Sequence, residues 1–271
     1  MIRDFLIGQY YPAPSPVHRL DPRTKIVVTF LYVVLLFFIH NFVGFAAAAA
    51  FTGTAVVAGR VPWRLVLRSL RPILILILFT LVFHALVTGG PDARTVARWG
   101  PVAVTDEGLY QGALLGLRLA LLILTSSLLT LTTSPVELTD GLERLLLPAG
   151  RLGLPAHEFA MMMTIALRFI PTLLEEAEKI MKAQMARGAD FQRGGPIQRA
   201  RALMPILVPL FVSAFRRADD LALAMEARCY RGGEGRTRYR VLRFKRADMA
   251  AWAVTVAFFA VILWLGRQGV G

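Results

Sequence analysis

The sequence predicts an all-α fold: a polytopic membrane protein with about five transmembrane helices and a cytoplasmic region of long helices. Three observations predict it. Of 271 residues, 56% are hydrophobic and the mean hydropathy is +0.56, too apolar for a chain folding in water and suited to one whose solvent is a bilayer. From Ile26 to Gly59 no Asp, Glu, Lys or Arg occurs. Between Ser134 and Asp248 apolar residues recur at helical spacing among charged ones, the pattern of amphipathic helices.

The spans follow in order. As one helix the run Ile26 to Gly59 would reach about 50 Å, against roughly 30 Å of hydrocarbon, so it must fold back. His40-Asn41 is the natural break, giving spans over 26–40 and 42–59. Pro72, a good first helical residue, opens a third span, Ile73 to Thr88, which Gly89-Gly90-Pro91 stops. A fourth runs from Gly108 to Thr133 and contains Arg118. The last is Met249 to Gly266, with Trp252 and Trp264 near its ends, where an aromatic belt would place them. The segment MIRDFLIGQYYPAPSP lacks the apolar run of a secretory signal, so the spans are expected to direct their own insertion.

Charge sets the expected orientation. Net charge is +13, from 31 Lys and Arg against 18 Asp and Glu, which in a soluble chain would suggest nucleic acid. Here the cations fall into place by topology. Arg3, Arg19, Arg23 and Lys25 precede the first span, Arg60, Arg64, Arg68 and Arg71 lie between the second and third, and most of the rest lie within 134–248. With five spans all three groups share one side, which the positive-inside rule makes the cytoplasm. No nucleic-acid partner is then needed, and the loop 89–107 belongs outside. The single Cys229 excludes an internal disulfide and fits a reducing compartment.

The organisation expected is therefore 1–133, an N-terminal cytoplasmic segment and four spans; 134–248, helices at the cytoplasmic membrane surface; and 249–271, the last span. Ser134-Pro135-Val136-Glu137 is a capping box opening a short amphipathic helix. A second helix begins after Pro155 and runs to Arg187, with Met162, Ala166, Phe169, Ile170, Leu173 and Ala177 along one face. A third runs from Arg199 to Arg228. Prolines in their apolar halves, Pro171 in one and Pro205 and Pro209 in the other, are expected to act as kinks or hinges.

Both long helices end alike, in MKAQMARGADF and AMEARCYR. An Arg beside the exposed carbonyls of a helix end, followed by a left-handed Gly, is favourable capping chemistry. Its recurrence 41 residues on argues for more: two parallel levers, each tipped by a planar guanidinium able to grip a partner's carboxylate.

At this point the residues resemble a known family. IGQYYPAPSPVHRLDPRTK (7–25), ALRFIPTLLEEAEKIMKAQMARGADF (166–191) and AFRRADDLALAMEARCYRGGEGRTRYR (214–240) are similar to blocks of the transmembrane T component of energy-coupling factor (ECF) transporters, importers of the ATP-binding cassette type. The resemblance implies a scaffold that couples two cytoplasmic ATPases to a small membrane S component, which binds a vitamin or metal ion. It implies ATPase docking by Ala186, Arg187 and Gly188 and by Ala227, Arg228 and Cys229, with Cys229 departing from the usual Gly. It also implies an S-component surface, for which Met161, Met162, Met163 and Phe169 are candidates because flexible thioethers adapt to varied partners. The 7–25 block looks more like the shared module than the dedicated cobalt type. The alternative is a membrane scaffold or assembly protein docking another cytoplasmic partner, without transport.

Chemistry of its own is not expected. None of the four lysines (Lys25, Lys179, Lys182, Lys245) follows a Gly, so no phosphate-binding Walker loop exists, and ATP hydrolysis falls to the partners. His157-Glu158 begins a zinc-protease motif, yet Met161 stands where the second His would be. The scattered histidines make a poor metal-ligand set, and no cofactor is implied. Arg118 is read as structural, snorkelling outward or lying at the interface. Arg168 is read as a bridge between helices or a neutraliser of Glu175 or Glu176, and Arg23 and Lys25 as lipid-surface cations.

Overall fold

A computed structural model describes residues 10–88, 95–99, 102–148, 155–189, 191, 195–232 and 244–267. Helices dominate: α1 (Pro22–Phe37), α2 (Phe42–Gly59), α3 (Trp63–Arg68), a 3-10 turn (Arg71–Ile73), α4 (Leu74–Val87), α5 (Asp106–Thr132), α6 (Pro135–Leu146), α7 (Ala156–Ala186), α8 (Pro196–Ala227) and α9 (Arg246–Arg267). One antiparallel hairpin, β1 (Thr95–Trp99) with β2 (Val102–Thr105), interrupts them. It occupies the connection between the third and fourth expected spans, where the sequence reading had only a loop.

The local reasons are those in the sequence. Asp21 caps α1 by accepting from the Arg23 N–H at 3.0 Å, with Pro22 as first residue. Asn41 caps α2 through the Gly44 N–H at 2.9 Å, so the His40-Asn41 break is a helix start. At α6, Ser134 N–H donates to Glu137 Oε2 and Glu137 N–H to Ser134 Oγ, each at 3.3 Å, the reciprocal pair of a capping box.

Four segments are long and apolar enough to cross a bilayer: Phe42–Gly59, Trp63–Val87, Asp106–Thr132 and Arg246–Trp264. The fifth expected span, α1, is shorter, with 16 residues. At 1.5 Å per residue that is about 24 Å, less than the hydrocarbon thickness.

The chain divides into two compact units, residues 1–145 with 240–271, and residues 146–239. In the first, α5 is the central element, packed against α1, α2 and α4, while α9 packs on α1. The core gathers Tyr32, Leu35, Leu36, Ile39, Phe45, Ala48, Leu114, Leu121 and Ile262. Tyr32 Oη donates to the Ala48 carbonyl at 2.8 Å and contacts Thr52 Oγ1 at 2.7 Å, so the one polar atom of this buried ring is satisfied. Gly112 lets α5 approach α4: a Cβ there would lie 3.1 Å from the Leu81 carbonyl oxygen. Most of 134–248 forms the second unit, but α6 packs in the first, where a Cβ on Gly141 would lie 2.9 Å from the Pro22 ring.

Two cations correct the sequence reading. Arg118 does not snorkel. Its Nε donates to the Leu36 carbonyl at 3.0 Å and its Nη2 to the Ile39 carbonyl at 2.8 Å, and the guanidinium carbon sits 5.5 Å and 5.6 Å from the centroids of the Phe37 and Phe45 rings. The planar fork reaches the carbonyls that α1 leaves unpaired at its end. Lys25, expected at the lipid surface, is buried; its ammonium donates to the Thr132 carbonyl at 2.9 Å and the His18 carbonyl at 3.2 Å. It thus ties the chain ahead of α1 to the end of α5. Asp248, fully buried, completes this knot by accepting from the N–H groups of Asp21 and Lys245, each at 2.7 Å.

Candidate functional site

The second unit is built on α7 and α8, whose ends carry the residues singled out by the sequence. At the end of α7, Gly188 adopts φ +87. Its N–H donates to the Met185 carbonyl at 3.0 Å and the Ala189 N–H to the Gln184 carbonyl at 3.0 Å. That pair of bonds is the Schellman motif, which closes a helix by turning the chain through one left-handed residue. At the end of α8, Cys229 adopts φ +54, its N–H donating to Glu226 at 2.8 Å and the Tyr230 N–H to Met225 at 3.0 Å. The two ends are one motif, bond for bond. Cys229 therefore accepts the left-handed conformation that Gly takes in the first copy, and α8 stops there rather than running on to Gly232.

In each motif the arginine is the residue before the left-handed one, and its side chain is exposed, as are Ala186, Gly188, Ala227 and Cys229. Neither guanidinium is sunk in the protein. Each tip thus offers a cationic fork beside the negative end of a helix, where the motif already satisfies two of the end carbonyls, Gln184 and Met185 in one copy and Met225 and Glu226 in the other.

The arrangement of the helices differs from the parallel levers expected. Glu176 of α7 pairs with Arg217 of α8, oxygen to nitrogen at 2.9 Å. Tyr230, just past the second tip, donates its hydroxyl to the Met161 sulfur near the start of α7 at 3.0 Å. Moving back along α7 means moving forward along α8, so the helices are antiparallel and the tips lie at opposite ends. Arg187 stands eleven residues past Glu176, and Arg228 eleven past Arg217. The ion pair is therefore the midpoint between the tips, each about 16 Å away along its helix. Glu176 is held below the ordinary carboxylate range by the Ser213 hydroxyl foremost and by Arg217, so it is charged throughout the physiological range. Arg168, assigned by the sequence to that carboxylate or its neighbour, is exposed, and Arg217 fills the place beside Glu176.

The remaining candidates separate. Met162 and Met163 are each about half exposed, Phe169 is half-buried, and Met161 is engaged by Tyr230. A larger apolar face, missed in the sequence reading, lies on α8: Met204, Val208, Phe211, Val212 and Phe215 expose between 54% and 67% of their surface. Its signal is present in the sequence as apolar residues at three- and four-residue spacing around Pro205 and Pro209, but the run from Met204 to Phe215 is apolar nearly all round, so periodicity does not single out the face left uncovered. Pro171, Pro205 and Pro209 are all exposed, and the helices run unbroken through each. Among the described residues no three His, Cys, Asp or Glu side chains gather as metal ligands.

Comparison with known proteins identifies the family. Residues 13–239 match the model of a family described as CbiQ, cobalt transport protein. A protein of Thermosediminibacter oceani named energy-coupling factor transporter transmembrane protein EcfT is 57% identical over 94% of this chain and 95% of its own length. Proteins of the same name from Heliobacterium modesticaldum and Bacillus subtilis are 55% and 48% identical, covering 97% and 98% of this chain and 98% and 99% of their own. By a match that spans both long helices and by relatives aligned nearly end to end, the chain belongs to the CbiQ/EcfT family of transmembrane T components of energy-coupling factor transporters.

Proposed function

We propose that this T component transmits the movement of two cytoplasmic ATPases to a membrane-embedded S component that binds the vitamin or metal ion carried, and that it does no chemistry itself. One observation carries the reading: two identical helix-end motifs, each presenting an exposed arginine, stand at equal distances on either side of a central ion pair. An object with one docking fork at each end of an antiparallel pair suits a partner that also comes as two similar halves. Nucleotide binding draws such halves together, and the forks, held in their grooves by carboxylates, follow. Ala186, Gly188, Ala227 and Cys229 are small, so a groove can close around each tip.

The prolines let each helix bend without losing its tip, and the exposed apolar face of α8, with Met162 and Met163 in the same unit, is the surface offered to the S component. The protein resides in the cell membrane with its arginine tips on the cytoplasmic side, a placement that the distribution of Lys and Arg supports. Replacing Arg187 and Arg228 together by Ala should leave the protein inserted in the membrane and lower co-purification of the ATPases at least tenfold, with loss of ATP-driven uptake in vesicles. Undiminished co-purification and uptake would overturn the docking assignment. Intact binding of the partners without uptake by the unmodified complex would point instead to a scaffold.

A further inference from the structure

The first unit contains a cavity of about 360 Å³, within the roughly 300–1,000 Å³ of small-molecule sites. Its wall takes Thr29 and Tyr32 from α1, Phe51 and Ala55 from α2, Leu129 from α5 and Val254 from α9. It extends along α1 from Thr24 to Tyr32, eight residues or about 12 Å, against roughly 15 Å for half the hydrocarbon layer. The wall is partly outer surface: Thr54, Ala58, Ala250 and Val254 line it and are exposed. The cavity therefore opens sideways between α2 and α9, the direction from which lipid reaches a membrane protein. Small residues at that opening, Ala58 and Ala250, leave room for a chain to enter.

Its two ends differ. At one lies the Tyr32 ring. At the other the lining holds Lys25, its single charged residue, and Thr24, 1% exposed, whose hydroxyl has no partner. Two of the ammonium's three protons are used on the Thr132 and His18 carbonyls, leaving one. The three acids of this region do not line the cavity: both oxygens of Asp248 accept backbone N–H groups, Glu137 closes the α6 capping box, and Asp21 caps α1 through the Arg23 N–H, with the Arg23 guanidinium at 3.7 Å. Around the same end stand Arg23 in the first turn of α1, Arg60 just past the end of α2 and Lys245 and Arg246 at the start of α9. Arg60 donates to the Pro14 carbonyl at 3.2 Å and is exposed, as are Lys245 and Arg246. A slot that is apolar along its length, cationic at its mouth and open to the bilayer has the chemistry of one ligand class.

We infer that this unit holds one anionic phospholipid, an acyl chain in the cavity between α2 and α9 and the phosphate at the Thr24, Lys25 and Lys245 level. The inference needs only that the first unit spans a membrane, and it stands whatever partners the second unit engages. Bound there, the acyl chain fills space that would otherwise separate α9 from α2, and a phosphate oxygen accepts from the Thr24 hydroxyl.

The test is native mass spectrometry of the full chain released from bilayers made of equal parts phosphatidylglycerol and phosphatidylcholine. The unmodified chain should carry one phosphatidylglycerol, at least fivefold over phosphatidylcholine. Ala250→Phe at the mouth and Ala55→Phe in the wall should each lower that species at least fivefold, whereas Ile75→Phe, on the 79%-exposed position of α4, should not. Gel filtration identifies a variant that fails to fold, and the mouth variant, on an exposed position, keeps the test open if the wall variant does. Equal amounts of the two lipids, release without lipid, or unchanged retention in the Ala250→Phe protein would each overturn the inference.

Discussion

Cys229 shows how much a single backbone angle costs. At φ +54 its Cβ crowds the following carbonyl, a conformation that costs a non-glycine residue about 1 kcal/mol and costs glycine almost nothing. Gly188 occupies the same place in the first motif at φ +87, where an added Cβ would meet nothing within 4 Å, so the penalty there is conformational rather than steric. The conformation persists at Cys229 because two hydrogen bonds, Cys229 to Glu226 and Tyr230 to Met225, both require it, and because Tyr230 is anchored on Met161. Cys229→Gly should therefore raise the thermal midpoint of the detergent-solubilised protein by about 2–4 °C and leave ATPase retention intact. Gly188→Cys should lower it by a similar amount. If Cys229→Gly lowers the midpoint, the thiol contributes a contact that outweighs the strain.

The pair of long helices is the element whose design depends on one bond. Glu176 and Arg217 are each partly exposed, with side-chain accessibilities of 25% and 37%, so the pair is worth only about 0.5–1 kcal/mol; its effect is on register more than on stability. It fixes the point at which α7 and α8 cross, and with that point fixed the tips stand at most about 33 Å apart. Because the folded carboxyl titrates below its unfolded value, its contribution is fully present above the ordinary carboxylate range near 4.5 and is lost as pH falls through the depressed value. Spin labels at positions 184 and 225, in a Cys229→Ser background, should report one narrow separation from pH 8 to 5 and a broader one only once the pH has fallen below the ordinary carboxylate value of 4.5. Glu176→Arg should broaden it at neutral pH, and adding Arg217→Glu should restore it. An unchanged distribution in Glu176→Arg would remove the ion pair from the role of midpoint.

Across the whole molecule, legibility followed the range of the interaction. Capping residues, the fold-back at His40-Asn41 and both helix ends were readable because each depends on neighbours within a few positions. Helix direction was not: periodicity identifies a face but carries no statement of which face it meets, so the antiparallel crossing through Glu176 and Arg217 and the engagement of Met161 by Tyr230 came only with the structure. The same holds for Lys25 and Arg118, basic residues whose partners are carbonyls far away in the chain. Arg118 explains how α1, about 24 Å long, can be built into a bilayer-spanning unit. A helix ending inside hydrocarbon must have its terminal groups satisfied by protein, since no water is available. At the far end of α1 Arg118 supplies donors to the carbonyls of Leu36 and Ile39. Removing the fork strands both carbonyls beside Phe37 and Phe45, which should cost about 2–4 kcal/mol. Arg118→Leu should consequently reduce the fraction of protein surviving as a monodisperse species after heating in detergent, whereas Arg118→Lys, which keeps a charge and can reach one carbonyl but not both, should fall between the two. Equal survival of Arg118→Leu and the unmodified protein would mean that lipid or water, rather than Arg118, satisfies the end of α1.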